Sequence, residues 1–307
     1  MIKIKNATKT FGHFKAIKNV TCSINKGSIF GIVGSNGAGK STLLRLISGV
    51  YHLDKGEVLL DNEFIYDNPK IKKNIIFLSD TPFVELGTTA KKLMKEYAFH
   101  YDNFDKKEYK ELIEIFKLDK NMPLSSFSKG MLRQAMIIIA LSCNTKYIVL
   151  DEALDGLDAM IRGLVKKKIY NKVLDNNTTV IISSHSLREL EDFCDSVILI
   201  HKGELVFQQQ LNDMDSSFIK VQVALQDATT DCLFEAVDVV KYTKSGSVSS
   251  LIVKGNEQEI IKTIQKFNPI LLETVPLSLE EIFTYELQQY GYALDKNNES
   301  ALNLEVK

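Results

Sequence analysis

Through about residue 212, short apolar runs of strand length alternate with segments of helical period. The runs are Ser28 to Val33, Tyr147 to Leu150, Thr179 to Ser184 and Ser196 to His201, and each of the last three follows a helical segment. That alternation marks βαβ units, in which strands buried on both faces form a parallel sheet covered by helices. The opening stretch instead alternates apolar and polar positions between Gly-marked turns. It predicts a small antiparallel sheet feeding the Ser28 to Val33 strand. From about Thr88 to Leu118 the period changes, with Tyr109, Leu112, Ile113 and Phe116 at i, i+3, i+4 and i+7 and no convincing strand nearby. A helical insertion is expected there, and closure of the α/β core near Gln210.

A polar stretch, "LNDMDSS", then reads as a linker. Beyond it the pattern predicts a strand at Phe218 to Leu225, a short helix near Thr230 to Ala236, and two strands around Ser245-Gly246-Ser247. A helix from Glu257 to Phe267 and a strand at Ile270 to Val275 follow. Ser278, with Glu281 three residues on, has capping-box spacing and opens a last helix. The βαββαβα order resembles a small ferredoxin-like domain. The expected organisation is residues 1–212 with a helical subdomain at about 88–146, a small α+β domain at 213–290 that is regulatory or dimerising, and a loose polar tail at 291–307.

Composition narrows the class. A hydrophobic content of 45% suffices for a core, and 38 Lys+Arg against 39 Asp+Glu leaves a net charge of -1, so no nucleic-acid partner is expected. No apolar run reaches membrane-spanning length. The start "MIKIKNATKT" lacks a hydrophobic region behind its lysines, which predicts a cytoplasmic protein. Cys22, Cys143, Cys194 and Cys232 form no CxxC pair, so neither a disulfide framework nor a zinc site is expected.

The chemistry lies in Gly34-Ser35-Asn36-Gly37-Ala38-Gly39-Lys40-Ser41-Thr42, which fits G-x-x-x-x-G-K-[ST] between a buried strand and a helix carrying Leu43, Leu44 and Ile47 on one face. Backbone N–H groups of such a loop converge on phosphate oxygens at a helix N-terminus. Lys40 is expected to reach the β- and γ-phosphates of ATP, Ser41 to place its hydroxyl on Mg²⁺, and Thr42 to bond a neighbouring phosphate. The apolar run Tyr147 to Leu150 ends in Asp151 and Glu152. Asp151 is suited to hold Mg²⁺ through its water shell, and Glu152 to polarise an attacking water as general base. Ser128 precedes apolar positions Leu132, Ala135, Met136, Ile139, Ala140 and Cys143, so it is expected as a helix N-cap able to receive a γ-phosphate.

With these residues in view the chain resembles the ATP-binding cassette (ABC) family over its first 210 or so residues. Phe11, followed by Gly12 and "AIKNV", looks like the aromatic that stacks on adenine. Ser128-Lys129-Gly130-Met131, led by Phe127, occupies the place of the signature LSGGQ. Asp155-Gly156-Leu157-Asp158 looks like the D-loop, and Ser184-His185 like the switch histidine. The resemblance implies a P-loop ABC ATPase core and ATP hydrolysis, with Glu152, His185 and Lys40 catalytic. It implies nucleotide contacts from Phe11, the loop Gly34 to Thr42, Asp80, Ser128, Gly130 and Asp158. Mg²⁺ would fall to Ser41 and Asp151, with Asp80 as a further ligand. It also implies integral membrane partner subunits, a place on the cytoplasmic face of the membrane, and a second copy or related ATPase whose nucleotide Ser128 serves.

"LDEALDGLDAM", the S-K-G-M signature and "PLSLEEIFTYEL" resemble the type-2 exporter class of Gram-positive bacteria, which implies export of a peptide, antimicrobial or lipid-like cargo. Asp80 departs from the family, standing in "IIFLSDTPF" where many members have glutamine. It is expected either to reach Mg²⁺ through a bridging water and link the metal to the membrane partner, or to cap the turn before Thr81-Pro82. A soluble ABC ATPase of translation or DNA repair is opposed by the single phosphate loop, the lack of heptads and the near-zero charge. A non-hydrolysing regulator is opposed by Glu152 and His185.

Overall fold

A computed structural model describes residues 1–211, 218–225, 233, 235–278, 280–281, 292–294 and 304–306. Two compact units are built mainly from Met1–Asn212 and Asp213–Leu294.

The first unit opens with β1 (Ile2–Phe11) and β2 (Phe14–Ile24), an antiparallel pair turning at Gly12. Their alternation buries Ile2, Ile4 and Ala7 on one strand and Ile17, Val20, Cys22 and Ile24 on the other. All five residues of β3 (Ile29–Val33) are buried, and the chain passes through the glycine loop into α1 (Lys40–Ile47). β4 (Lys55–Leu60) and β5 (Glu63–Phe64) extend the first sheet in the order β2-β1-β4-β5. After the single turn α2 (Pro69–Lys72) comes β6 (Ile75–Leu78).

The expected helical insertion contains α3 (Ala90–His100), capped by Thr89, and α4 (Lys106–Ile115), whose first turn bonds to Asp105. Tyr109, Leu112, Ile113 and Phe116 are all buried, as their spacing predicts. α5 (Lys129–Ser142) departs from its pattern: every position from Ala135 to Ser142 is buried, so its second half is enclosed rather than striped, and Leu132 is only partly covered. Then follow β7 (Tyr147–Asp151), α6 (Ala159–Asn176), β8 (Thr179–Ser184), α7 (Leu187–Glu191), β9 (Ser196–His201) and β10 (Glu204–Gln210).

The second sheet has the order β10-β9-β3-β8-β7-β6, parallel except for β10 at its edge. Strands β3, β7 and β8 lie side by side and end together, so the glycine loop, the Asp151-Glu152 pair and the Ser184-His185 turn emerge at one edge. Such carboxyl ends are where open α/β sheets bind ligands. Packing of α1 holds the loop in place: Leu43, Leu44 and Ile47 are fully buried in a core shared with Phe30, Ile32, Val149 and Ile198. Each contributes about 1.5–3 kcal/mol by leaving water.

In the second unit β11 (Phe218–Ala224), β12 (Asp238–Ser245), β13 (Val248–Lys254) and β14 (Leu271–Val275) form an antiparallel sheet in the order β12-β13-β11-β14. This is the strand order of the ferredoxin-like arrangement. Val221, Val223, Leu251 and Val253 meet Ile260 and Ile264 of α8 (Glu257–Gln265), together with Leu233. The capping box is formed, with Ser278 N donating to Glu281 Oε2 at 2.9 Å and Glu281 N to Ser278 Oγ at 3.2 Å. Of the short helix expected near Thr230, Leu233, Glu235 and Ala236 are described and helical. Cys232, most of the linker and the body of the last helix lie outside the described residues. The tail departs from the loose segment expected: β15 (Tyr292–Leu294) and β16 (Leu304–Val306) pair antiparallel within it.

Candidate nucleotide site

The turn between β3 and α1 depends on glycine at named points. A Cβ on Gly34 would lie 2.3 Å from the Ile200 carbonyl oxygen, and one on Gly39, at φ +112, 2.7 Å from that of Ala16. Gly39 is also the N-cap of α1 and offers no side chain to its first turn, so the leading N–H groups of the helix face the loop uncapped. Asn36 and Gly37 are exposed, while Ala38 is buried and accepts a hydrogen bond from Gly203 N at 2.8 Å. Ser41 and Thr42 are half-buried in the first turn of α1.

Lys40 is 4% exposed and donates to the carbonyls of Gly34 at 2.8 Å and Ser35 at 3.2 Å. Its Nζ is 3.1 Å from Glu152 Oε1, so the loop and the end of β7 meet through a charge pair. Asp151, buried at the end of β7, accepts from Ser183 Oγ at 2.8 Å and Ser41 Oγ at 3.1 Å, both at Oδ1. Its Oδ2 is buried without a hydrogen-bond partner. Burial raises the Asp151 pKa above the ordinary carboxylate value, as does the Glu152 charge, against the two serine hydroxyls. An unpartnered buried carboxylate oxygen beside a serine hydroxyl fits a hard divalent cation such as Mg²⁺.

Glu152 adopts the left-handed region at φ +47, a conformation costing a non-glycine residue about 1–3 kcal/mol. It is held there by its N–H to Ser183 Oγ at 3.0 Å. His185, with its side chain 55% exposed, places Nδ1 3.2 Å from Asp155 Oδ2. Burial and the neighbouring Glu189 push the Asp155 pKa up to about 6, against the pull of His185. One ligand atom each from Glu152, Asp155 and His185 lie within 4.8 Å of one another. Asp155 enters the sequence reading only as part of a loop motif. Its link to His185 spans two strands and has no local signal.

The other predicted residues divide. Ser128 is the N-cap of α5, accepting from Met131 N at 3.2 Å, and among the described residues its side chain bonds to nothing else. Gly130 stands near the Gly156 carbonyl, 3.7 Å from where a Cβ would sit. Asp158 caps α6 through Ile161 N at 3.0 Å. Phe11 is 43% exposed, edge-on to Tyr51 at 5.4 Å, with Lys9 Nζ 5.4 Å from its ring centre.

Asp80, expected at Mg²⁺ or as a turn cap, has a partner on α5. Its carboxylate pairs with Arg133 of α5, and its carbonyl accepts from the same guanidinium at 3.3 Å. The sequence reading passes over Arg133 because its partner is 53 residues away.

The sequence profile of the ABC transporter family matches residues 17–155. The ABC transporter ATP-binding protein YtrB of Bacillus subtilis is 28% identical over 284 residues, covering 92% of this chain and 97% of its own. The bacitracin transport ATP-binding protein BcrA of Bacillus licheniformis is 27% identical over 79% of this chain and 81% of its own. A solved dimeric ATP-binding cassette in a post-hydrolysis state, bound to ADP and Pi, superposes with a TM-score of 0.60 at 25% identity, covering 69% of this chain and 99% of that one. Residues 17–155 thus carry the ABC transporter domain, and the first unit has the fold of an ABC ATPase cassette. Its activity is ATP binding and hydrolysis, and its relatives are ATP-binding subunits of ABC transporters. Among the described residues no helix of the chain is long and apolar enough to cross a membrane.

Proposed function

We propose that this ABC ATPase works in pairs on the cytoplasmic face of a membrane, driving export of a peptide, antimicrobial or lipid-like substrate through separate membrane subunits. The observation that carries the reading is the convergence of Lys40, Glu152 and the unpartnered Asp151 Oδ2 on the uncapped end of α1. The dimeric relative with ADP and Pi supports pairing, and the bacitracin relative supports the cargo class.

In this reading the backbone N–H groups of Gly34 to Thr42 bind the phosphates, and Lys40 Nζ turns from the loop carbonyls to the β- and γ-phosphates. Ser41 and Asp151 hold Mg²⁺, which when bound neutralises phosphate charge. Glu152 takes the proton of the attacking water at its carboxylate, and His185 bonds the γ-phosphate. Ser128 and Gly130 of one copy close over the nucleotide of the other, with Asp158 in the loop beside that contact. Phe11 stacks on the base, an exposed ring being free to do so. The second unit is regulatory or dimerising. A translation or repair ATPase, or a non-hydrolysing regulator, is not favoured: the relatives are transport proteins, and Glu152 stands beside Lys40.

Inside-out vesicles holding the chain and its membrane partner test the direction of transport. ATP should drive accumulation of a bacitracin-type peptide, and a non-hydrolysable analogue should not. Accumulation in right-side-out vesicles alone would overturn export.

A further inference from the structure

Three loops beside the nucleotide site are tied together by two side chains. Asp155, in the loop after β7, places Oδ2 3.2 Å from Nδ1 of His185, in the loop after β8. Arg133, one turn into α5, donates from one terminal nitrogen to the backbone carbonyl of Asp155. From the other it donates to the carboxylate and the carbonyl of Asp80, in the loop after β6, the carbonyl at 3.3 Å. The guanidinium suits this task because its donors are rigidly arranged, so bridging two carbonyls fixes the distance between the loops that carry them.

The Asp155 carboxylate is crowded by acids, which makes its orientation specific. Glu189 is held close by Arg162 at 2.8 Å and Ser184 at 3.0 Å, and it repels Asp155, as does Glu152. His185 is the attractive neighbour. An imidazole whose Nδ1 is engaged by a carboxylate has its tautomer and ring plane set, and Nε2 is the nitrogen left for a ligand.

We infer that Asp155 is a positioning residue for His185, and that Arg133 sets that position by locking the Asp155 loop to the Asp80 loop. The inference rests on the role proposed above for His185 and adds the device that orients it. A shift of the Asp80 loop would then pass through one guanidinium to the switch histidine.

Asp155→Asn is the discriminating variant because it preserves size. If Asp155 only shapes its loop, the amide serves equally well. If it orients His185, the amide can turn its N–H toward Nδ1 and favour the wrong tautomer. Steady-state ATPase assays of the full chain should show kcat lowered about 10-fold, with KM for ATP changed less than about threefold. In a His185→Ala background the same substitution should add no further loss, since the two residues act as a unit. Arg133→Lys, which cannot span both carbonyls, should also lower kcat only while His185 is present. Wild-type turnover in Asp155→Asn, or losses that multiply with His185→Ala, would overturn the inference. If Glu152→Gln abolishes turnover while Asp155→Asn does not, this inference alone fails; if Glu152→Gln is fully active, the proposed function fails first.

Discussion

Lys40 Nζ stands 3.1 Å from Glu152 Oε1 while donating to the Gly34 carbonyl at 2.8 Å, so one ammonium joins the phosphate loop to the candidate base. The lysine is nearly fully buried, and its charge is satisfied by groups a phosphate can replace. Lys40→Ala should therefore weaken ATP binding by about 2–4 kcal/mol, the cost of losing a buried charge-assisted contact. Calorimetry with ATP and Mg²⁺ checks this, and unchanged affinity would dismiss the loop as the site.

Asp155 gives a prediction about stability. Its pKa is raised from 3.8 to about 6 in the folded chain, so the native state holds that proton more tightly than the unfolded one. The stabilisation this provides is complete below the unfolded value and is lost as pH rises through the folded one. Asp155→Asn cannot titrate. Relative to wild type it should gain about 1–3 kcal/mol between pH 4 and pH 7, read as a widening difference in Tm. A difference that does not change with pH would place the Asp155 carboxylate outside this crowded cluster.

Local signals made the parallel strands and the phosphate loop legible. β7, β8 and β9 are continuous apolar runs because both of their faces are covered, and the loop motif is contiguous between its strand and helix. β4 and β10 are harder to read. One carries Gly56 at φ +84 and two exposed residues, and the other is a partly exposed edge strand ending in glutamines. The pairs Asp80–Arg133 and Asp155–His185 have no sequence signature at all. Asp155 meets His185 because the sheet order sets β7 beside β8, and Arg133 meets Asp80 because α5 packs on β6.

Sharing of the site predicts a dominant effect at Ser128. Its hydroxyl caps α5 and is otherwise without a described partner, which suits a group reserved for the other copy's nucleotide. Ser128→Arg should block ATP-driven dimerisation, seen by light scattering, while ATP affinity of the monomer changes less than about threefold, below 1 kcal/mol. ATP-dependent dimers of the variant would contradict a shared site.

Removing residues beyond Ser216 tests independence of the two units. The core around Leu43, Phe30 and Val149 and the one around Val221, Leu251 and Ile264 share no residue. The shortened cassette should fold and bind ATP, as a domain with its own core does. Insoluble or nucleotide-free product, beside a well-behaved full chain, would mean that the units fold together.

The central claim, that Glu152 acts as general base beside a nucleotide held by the glycine loop, is tested most directly by turnover and binding of Glu152→Gln. The amide preserves shape and much of the hydrogen bonding but does not take a proton from water. ATPase activity should fall at least about 10²-fold while calorimetry still shows ATP bound. Wild-type turnover in this variant would contradict the account.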